Sequence, residues 1–167
     1  MSLKLYLLRH AKAEPGSISQ DDFDRPLAEM GLADAARLGD YFRQENAAFD
    51  YALSSSSART TETLEQLALA DSVKKEWTRD LYHAPAEKML ELIHLTPPDV
   101  KSLLIVGHNP GISQLAAMFA EGSDNVLSRD VVIRYSPCTC SMFELNAQMW
   151  QEAGPENSQI TGLWVPN

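Results

Sequence analysis

The stretch Leu103-Leu104-Ile105-Val106-Gly107-His108-Asn109-Pro110-Gly111 decides how this chain is built. Four apolar residues without polar alternation fit a strand covered on both faces, as parallel strands are. Gly107 permits close backbone approach. Asn109-Pro110 caps and opens a helix whose apolar face is Ile112, Leu115, Ala116 and Phe119. A strand running straight into a helix is the repeating unit of an α/β sheet. His108 projects at that junction, beside a helix N-terminus, where free N–H groups and the helix dipole favour anions.

Two other apolar runs end in the same way. Leu3-Lys4-Leu5-Tyr6-Leu7-Leu8 leads into Arg9-His10, and Tyr51-Ala52-Leu53 leads through the serines at 54–57 to Arg59. In an open α/β sheet the carboxyl ends of neighbouring strands face one crevice, where ligands bind. If the three runs are parallel strands, two arginines and two histidines converge there. Two forked guanidiniums can hold the oxygens of a tetrahedral dianion, and one imidazole can attack its phosphorus. Arg9 closes so apolar a strand that it needs a counter-charge. Arg59 lies near a helix N-terminus, where the dipole disfavours a cation unless an anion faces it.

Periodicity fills in the rest. It predicts a helix over about residues 27–46, with Leu32, Ala35, Ala36, Gly39 and Phe42 on one face, and another over 58–69 with Thr61, Leu64, Leu67 and Ala68. Residues 73–77 read as a brief edge strand. Pro85 fits a first helical residue ahead of Met89, Leu92 and Ile93, and Thr96-Pro97-Pro98 stops that helix. Residues 121–130 read as a loop. Residues 138–145 and 160–165 read as closing strands with no helix between them, hence an antiparallel addition at one edge. The sum is an α/β chain with a mainly parallel sheet and helices on both faces.

The 167 residues fit a single domain, 1–167, large enough for a real core. A net charge of −9 argues against a nucleic-acid binder, while a local arginine cluster can still hold a positive pocket. No apolar run approaches the roughly 20 residues that span a bilayer. The apolar part before Arg9 is also too short for a signal-peptide core, so the cytoplasm is expected. Cys138 and Cys140, placed on one face of a strand, read as packed apolar thiols rather than a disulfide or a zinc site.

The motifs Leu-Tyr-Leu-Leu-Arg-His-Ala-Lys, Asp-Arg-Pro-Leu followed by Gly31, Leu-Ser-Ser with Arg59 and Thr63, Leu81-Tyr82, and Val-Gly-His-Asn-Pro-Gly stand in one order. In that order they resemble the histidine phosphatase superfamily, most closely its small SixA-like branch of phosphohistidine phosphatases. The resemblance runs over about residues 3–145. It implies a three-layer α/β/α sandwich of the phosphoglycerate mutase type. It also implies His10 as the nucleophile that becomes phosphorylated, with Arg9, Arg59 and His108 completing the phosphate pocket. No metal and no cofactor are implied, because the arginines do the neutralising that Mg²⁺ does elsewhere.

Two departures stand out. Ala11 replaces the glycine of the more familiar branches, and Ser56 stands where proline is usual, which predicts a looser turn. The proton donor is the open position. Asp22 is a candidate that can reach the pocket from the loop, and a turn-forming Asp explains it equally well. Arg25 reads either as a substrate contact or as an ion-pair partner of a nearby Asp. His83, at a strand end facing the crevice, reads as a substrate contact at the rim.

A weak acid favours a P–N bond over a phosphate ester, whose alkoxide needs general acid help worth roughly 10²–10⁴-fold. The leading expectation is therefore a phosphatase acting on a histidine-phosphorylated carrier protein. A small-molecule phosphomonoesterase on the same pocket is the second reading, and a phospho-ligand binding module without turnover the third.

Overall fold

The computed structural model describes residues 2–167. Among them, six strands form one sheet in the order β3-β2-β4-β1-β5-β6. They are β1 (Leu3–Arg9), β2 (Tyr51–Ser55), β3 (Lys74–Thr78), β4 (Ser102–Gly107), β5 (Cys140–Leu145) and β6 (Ser158–Trp164). The first four are mutually parallel, while β5 runs antiparallel to β1 and β6 antiparallel to β5. The predicted parallel sheet with an antiparallel edge is thus the observed one.

Each central strand is buried on both faces, and its side chains alternate between two cores. Leu3, Leu5 and Leu7 of β1 and Leu103 and Ile105 of β4 face helices α3 (Ala86–His94), α4 (Gly111–Ala120) and α5 (Val126–Ile133). Leu8, Leu104 and Val106 face α1 (Glu29–Gln44) and α2 (Ala58–Gln66). The result is a three-layer α/β/α sandwich. The α4 stripe Ile112, Leu115, Ala116 and Phe119 is completely buried, as its spacing predicts. No helix among the described residues is long and apolar enough to cross a membrane.

Four local expectations need correction. Residues 126–130, part of the stretch 121–130 read as loop, belong to α5. Its N-terminus is a reciprocal cap between Asn125 and Ser128, and only Val131 is buried, so the apolar periodicity is faint. Pro85 is the extended cap residue before α3 rather than its first helical residue. Cys138 precedes β5 with φ of 68°, so the two thiols do not share a strand; both are free and buried in the α1/α2 core. Burial pushes the Cys138 thiol up to about 12 and Cys140 well above its ordinary value. Finally, Ser56 does not loosen its turn: its N–H donates to Thr78 O at 3.2 Å, a bond proline could not make.

Gly111 shows how tightly the crevice end is packed. A Cβ there would collide with the carbonyl of Ala84, the residue after His83. Gly111→Ala is expected to destabilise the protein by about 1–3 kcal/mol by overpacking. Urea midpoints of the two proteins measure this.

Candidate active site

Register places the predicted residues at one end of the sheet. Arg9 pairs with Gly107 across β1 and β4, so His10 and His108 leave adjacent strands side by side, with ring centroids 5.3 Å apart. The backbone around His10 is fixed from both neighbours. His10 N–H donates to Gly107 O at 3.1 Å, and Cys138 N–H is shared between the carbonyls of Arg9 (3.2 Å) and His10 (2.9 Å). Ala11, fully buried, donates its N–H to Thr63 Oγ1 at 3.0 Å, and Thr63 in turn donates to Arg59 O.

The His10 ring has one defined tautomer. Its Nδ1 lies 2.7 Å from the carbonyl oxygen of Ala11, which can only accept, so Nδ1 carries the proton and Nε2 keeps a free lone pair. Burial, with smaller contributions from Arg59, Arg9 and Arg25, lowers the His10 pKa to about 4. The ring is therefore a neutral base at physiological pH.

This has a consequence for stability. Unfolded His10 takes up a proton below its ordinary 6.5, whereas the folded residue does so only below about 4. Between those values the unfolded chain binds more protons, so stability falls as pH drops through the window, by roughly 3 kcal/mol from His10 alone. Urea midpoints followed from neutral pH down to about 4 test it. His10→Gln should flatten part of the decline.

His108 Nε2 meets Ser55 Oγ at 2.9 Å, and burial, followed by His10 and Arg59, pushes its pKa far down as well. Arg9 donates through Nη1 to Tyr135 O at 2.9 Å, a carbonyl that also accepts from Asn109 Nδ2 at 3.3 Å. Arg59, only 1 % exposed, donates through Nη1 and Nη2 to the backbone oxygen and Oδ2 of Asp22, at 2.7 and 3.0 Å. Five buried side-chain polar atoms lack a hydrogen-bond partner among the described residues. Three of them are Arg9 Nε, Arg59 Nε and His108 Nδ1. Such unmatched buried groups are costly and concentrate where a ligand is to be held.

Asp22, Arg25 and His83 also join this group, on terms the sequence leaves open. Asp22 Oδ2 accepts from Tyr82 OH (2.6 Å), Arg59 (3.0 Å) and His83 Nε2 (3.1 Å), and Oδ1 accepts from Arg25 Nη2 (3.0 Å). The Tyr82 hydrogen bond, aided by those from His83, Arg25 and Arg59, holds its carboxyl well below the usual carboxylate range. Asp22 thus stands as an anion that gathers Tyr82, His83, Arg25 and Arg59 around one carboxylate. Arg25 is its ion-pair partner and also donates to Glu14 O.

Sequence reasoning gave no role in the site to Ser55, Tyr82, Asn109 or Tyr135, although the first three stand within its motifs. The serine run resembles low complexity, yet Ser55 meets His108 and Ser57 caps α2. Its place directly after a buried strand was the available signal.

The sequence pattern of the histidine phosphatase superfamily, branch 1, matches residues 5–84, the segment that carries Arg9, His10, Asp22, Arg59 and His83. The chain belongs to the histidine phosphatase superfamily. An uncharacterized relative from Mycobacterium tuberculosis is 30% identical to this chain over 162 residues, covering 95% of this chain and 99% of the relative. Two solved structures named as candidate SixA phosphohistidine phosphatases share the fold. One, from Agrobacterium tumefaciens, is 26% identical with a TM-score of 0.82, covering 98% of each chain. The other, from Nakamurella multipartitia, is 24% identical with a TM-score of 0.86, covering 99% of this chain and 97% of that one.

Proposed function

We propose that this member of the histidine phosphatase superfamily removes phosphate from phosphohistidine on a carrier protein, by way of a phosphorylated His10. The observation that carries the proposal is the pairing of a bare His10 Nε2 with three buried, partnerless groups on Arg9, Arg59 and His108. Nucleophile and anion cradle are then supplied by the same few residues. In this reading Arg9, Arg59 and His108 bind the phosphoryl oxygens. With Ser55 as the donor in its 2.9 Å bond to His108 Nε2, Nδ1 carries the ring proton and serves as a donor to phosphate. The two guanidiniums neutralise the charge that spreads over the equatorial oxygens. Arg25 and Asp22 orient the loop over Arg59.

Two observations favour phosphohistidine over a phosphate ester. Asp22, the carboxylate that meets Arg59, is held as an anion by hydrogen bonds from Tyr82, His83, Arg25 and Arg59, which disfavours it as the acid for an alkoxide. The Agrobacterium structure, at 26% identity, is also named for phosphohistidine. Two unpaired buried cysteines fit a cytoplasmic setting.

The test is a substrate panel of a histidine-phosphorylated carrier protein beside sugar and nucleotide phosphates, with acid-quenched samples assayed for label. The expected result is faster loss of phosphate from the carrier and an acid-labile, base-stable label that maps to His10. Preference for a sugar phosphate would instead support the small-molecule phosphatase reading. Binding of phosphate without turnover would support a binding module.

A further inference from the structure

His83 is held in a way that a bystander at the rim would not need. It is a non-glycine residue with φ of 51°, a left-handed conformation that costs on the order of 1 kcal/mol and persists where the surroundings impose it. The carbonyl of the next residue, Ala84, is pressed against the start of α4 at Gly111. The imidazole that this backbone presents is contacted on its pocket side by four residues. Asp22 Oδ2 accepts from Nε2 at 3.1 Å, Arg59 Nη2 lies 3.5 Å from the same nitrogen, the Tyr82 ring lies 4.3 Å away and the His108 ring 4.9 Å. About half the side chain remains open to solvent.

A carboxylate that cannot release a proton but accepts one ring N–H fixes a histidine tautomer, as the Asp of a hydrolase triad does. With Nε2–H committed to Asp22, the lone pair of neutral His83 sits on Nδ1. The other histidines are occupied: His10 is the proposed nucleophile, and His108 is tied to Ser55. The second half of the proposed reaction needs a base for water, and it needs no acid for the leaving group. His10 keeps its Nδ1 proton on Ala11 O and so departs as a neutral ring.

The geometry points to His83, oriented by Asp22, as the general base that activates water for hydrolysis of phosphorylated His10. This inference rests on the phosphohistidine intermediate proposed above. In the step, a water oxygen bonds to phosphorus as the bond from phosphorus to His10 Nε2 breaks, and that electron pair returns to His10 Nε2. The water proton passes to His83 Nδ1, inorganic phosphate leaves, and the exposed His83 returns the proton to solvent. His83 is then a catalytic residue, and Asp22 is a positioning residue acting through it.

Rapid-quench kinetics with p-nitrophenyl phosphate isolate this step, because nitrophenolate departs without a proton. In His83→Gln, labelling of His10 should keep its rate within about threefold, while decay of the label slows by about 10²-fold or more. The signature is a burst of one equivalent of nitrophenolate followed by a slow steady state. His83→Gly accepts the left-handed backbone without strain. It should fold at least as well, show the same slow decay and recover on addition of free imidazole. Asp22→Asn should slow decay less than loss of His83 does, as expected of a residue that acts through His83.

Label that forms on His10 and decays at the parent rate in both His83 variants would overturn the assignment while leaving the phosphohistidine reading intact. Label that never forms on His10 in the parent protein would remove the intermediate itself, and this inference with it.

Discussion

On the proposed mechanism, His10→Gln is expected to abolish phosphatase turnover, with a fall in kcat of at least about 10⁴-fold, and to leave the fold intact. The size follows from the role: removing a nucleophile removes the covalent route altogether, and losses of this order and larger accompany such changes elsewhere. The fold survives because the backbone, not the ring, ties His10 into the sheet, through Gly107 O and Cys138 N–H. The ring itself makes one hydrogen bond, to its neighbour Ala11. Glutamine keeps a polar group of similar reach while offering no basic nitrogen. Steady-state turnover together with the acid-quench label checks the prediction. A variant that keeps a tenth of the parent rate would show that phosphate leaves by direct attack of water.

Arg59→Met carries the second large effect, and its sign differs between activity and stability. Arg59 is almost wholly buried, beside two histidines that burial, aided by its charge, keeps unprotonated, with Nε left without a partner among the described residues. Methionine fills a comparable volume without charge. Replacing a whole buried ion pair by apolar side chains is often neutral or stabilising, whereas removing one partner is costly when the other is left buried and unpaired. The partner left behind, Asp22, is exposed and retains Arg25, Tyr82 and His83, so it is not stranded. Activity should fall by about 10²–10³-fold, the usual cost of deleting one donor to developing charge. Arg59→Lys should recover little, since an ammonium cannot span two oxygens as a fork does. Urea unfolding and kcat/KM on the same preparations separate the two effects. A loss of activity that tracked a loss of stability would count against a role in binding charge.

The central sheet was legible in the sequence because strands buried on both faces are written as unbroken apolar runs. The residues that meet at its end stand immediately after those runs: Arg9 and His10 after Leu8, His108 after Gly107. Arg59 was legible through a conflict, a cation near a helix N-terminus. Helix α5 was hidden because it buries one residue, Val131, and leaves Val126, Val132 and Ile133 exposed, so no stripe emerges. The state of Asp22 was hidden for another reason. Its position can be read in one dimension, but its ionisation depends on Tyr82, His83, Arg25 and Arg59, which arrive from separate parts of the chain. The same holds for the bond between Ser55 and His108, made only once β2 and β4 lie side by side.

The burial of both thiols has a meaning outside the sheet. Phosphatases that attack through sulfur need an accessible thiolate, and that thiolate is what peroxide converts to sulfenic acid. Here Cys138 and Cys140 are enclosed and protonated, and on the proposed mechanism the attacking atom is a nitrogen that mild oxidants leave alone. Turnover is then expected to survive mild peroxide that silences sulfur-based enzymes.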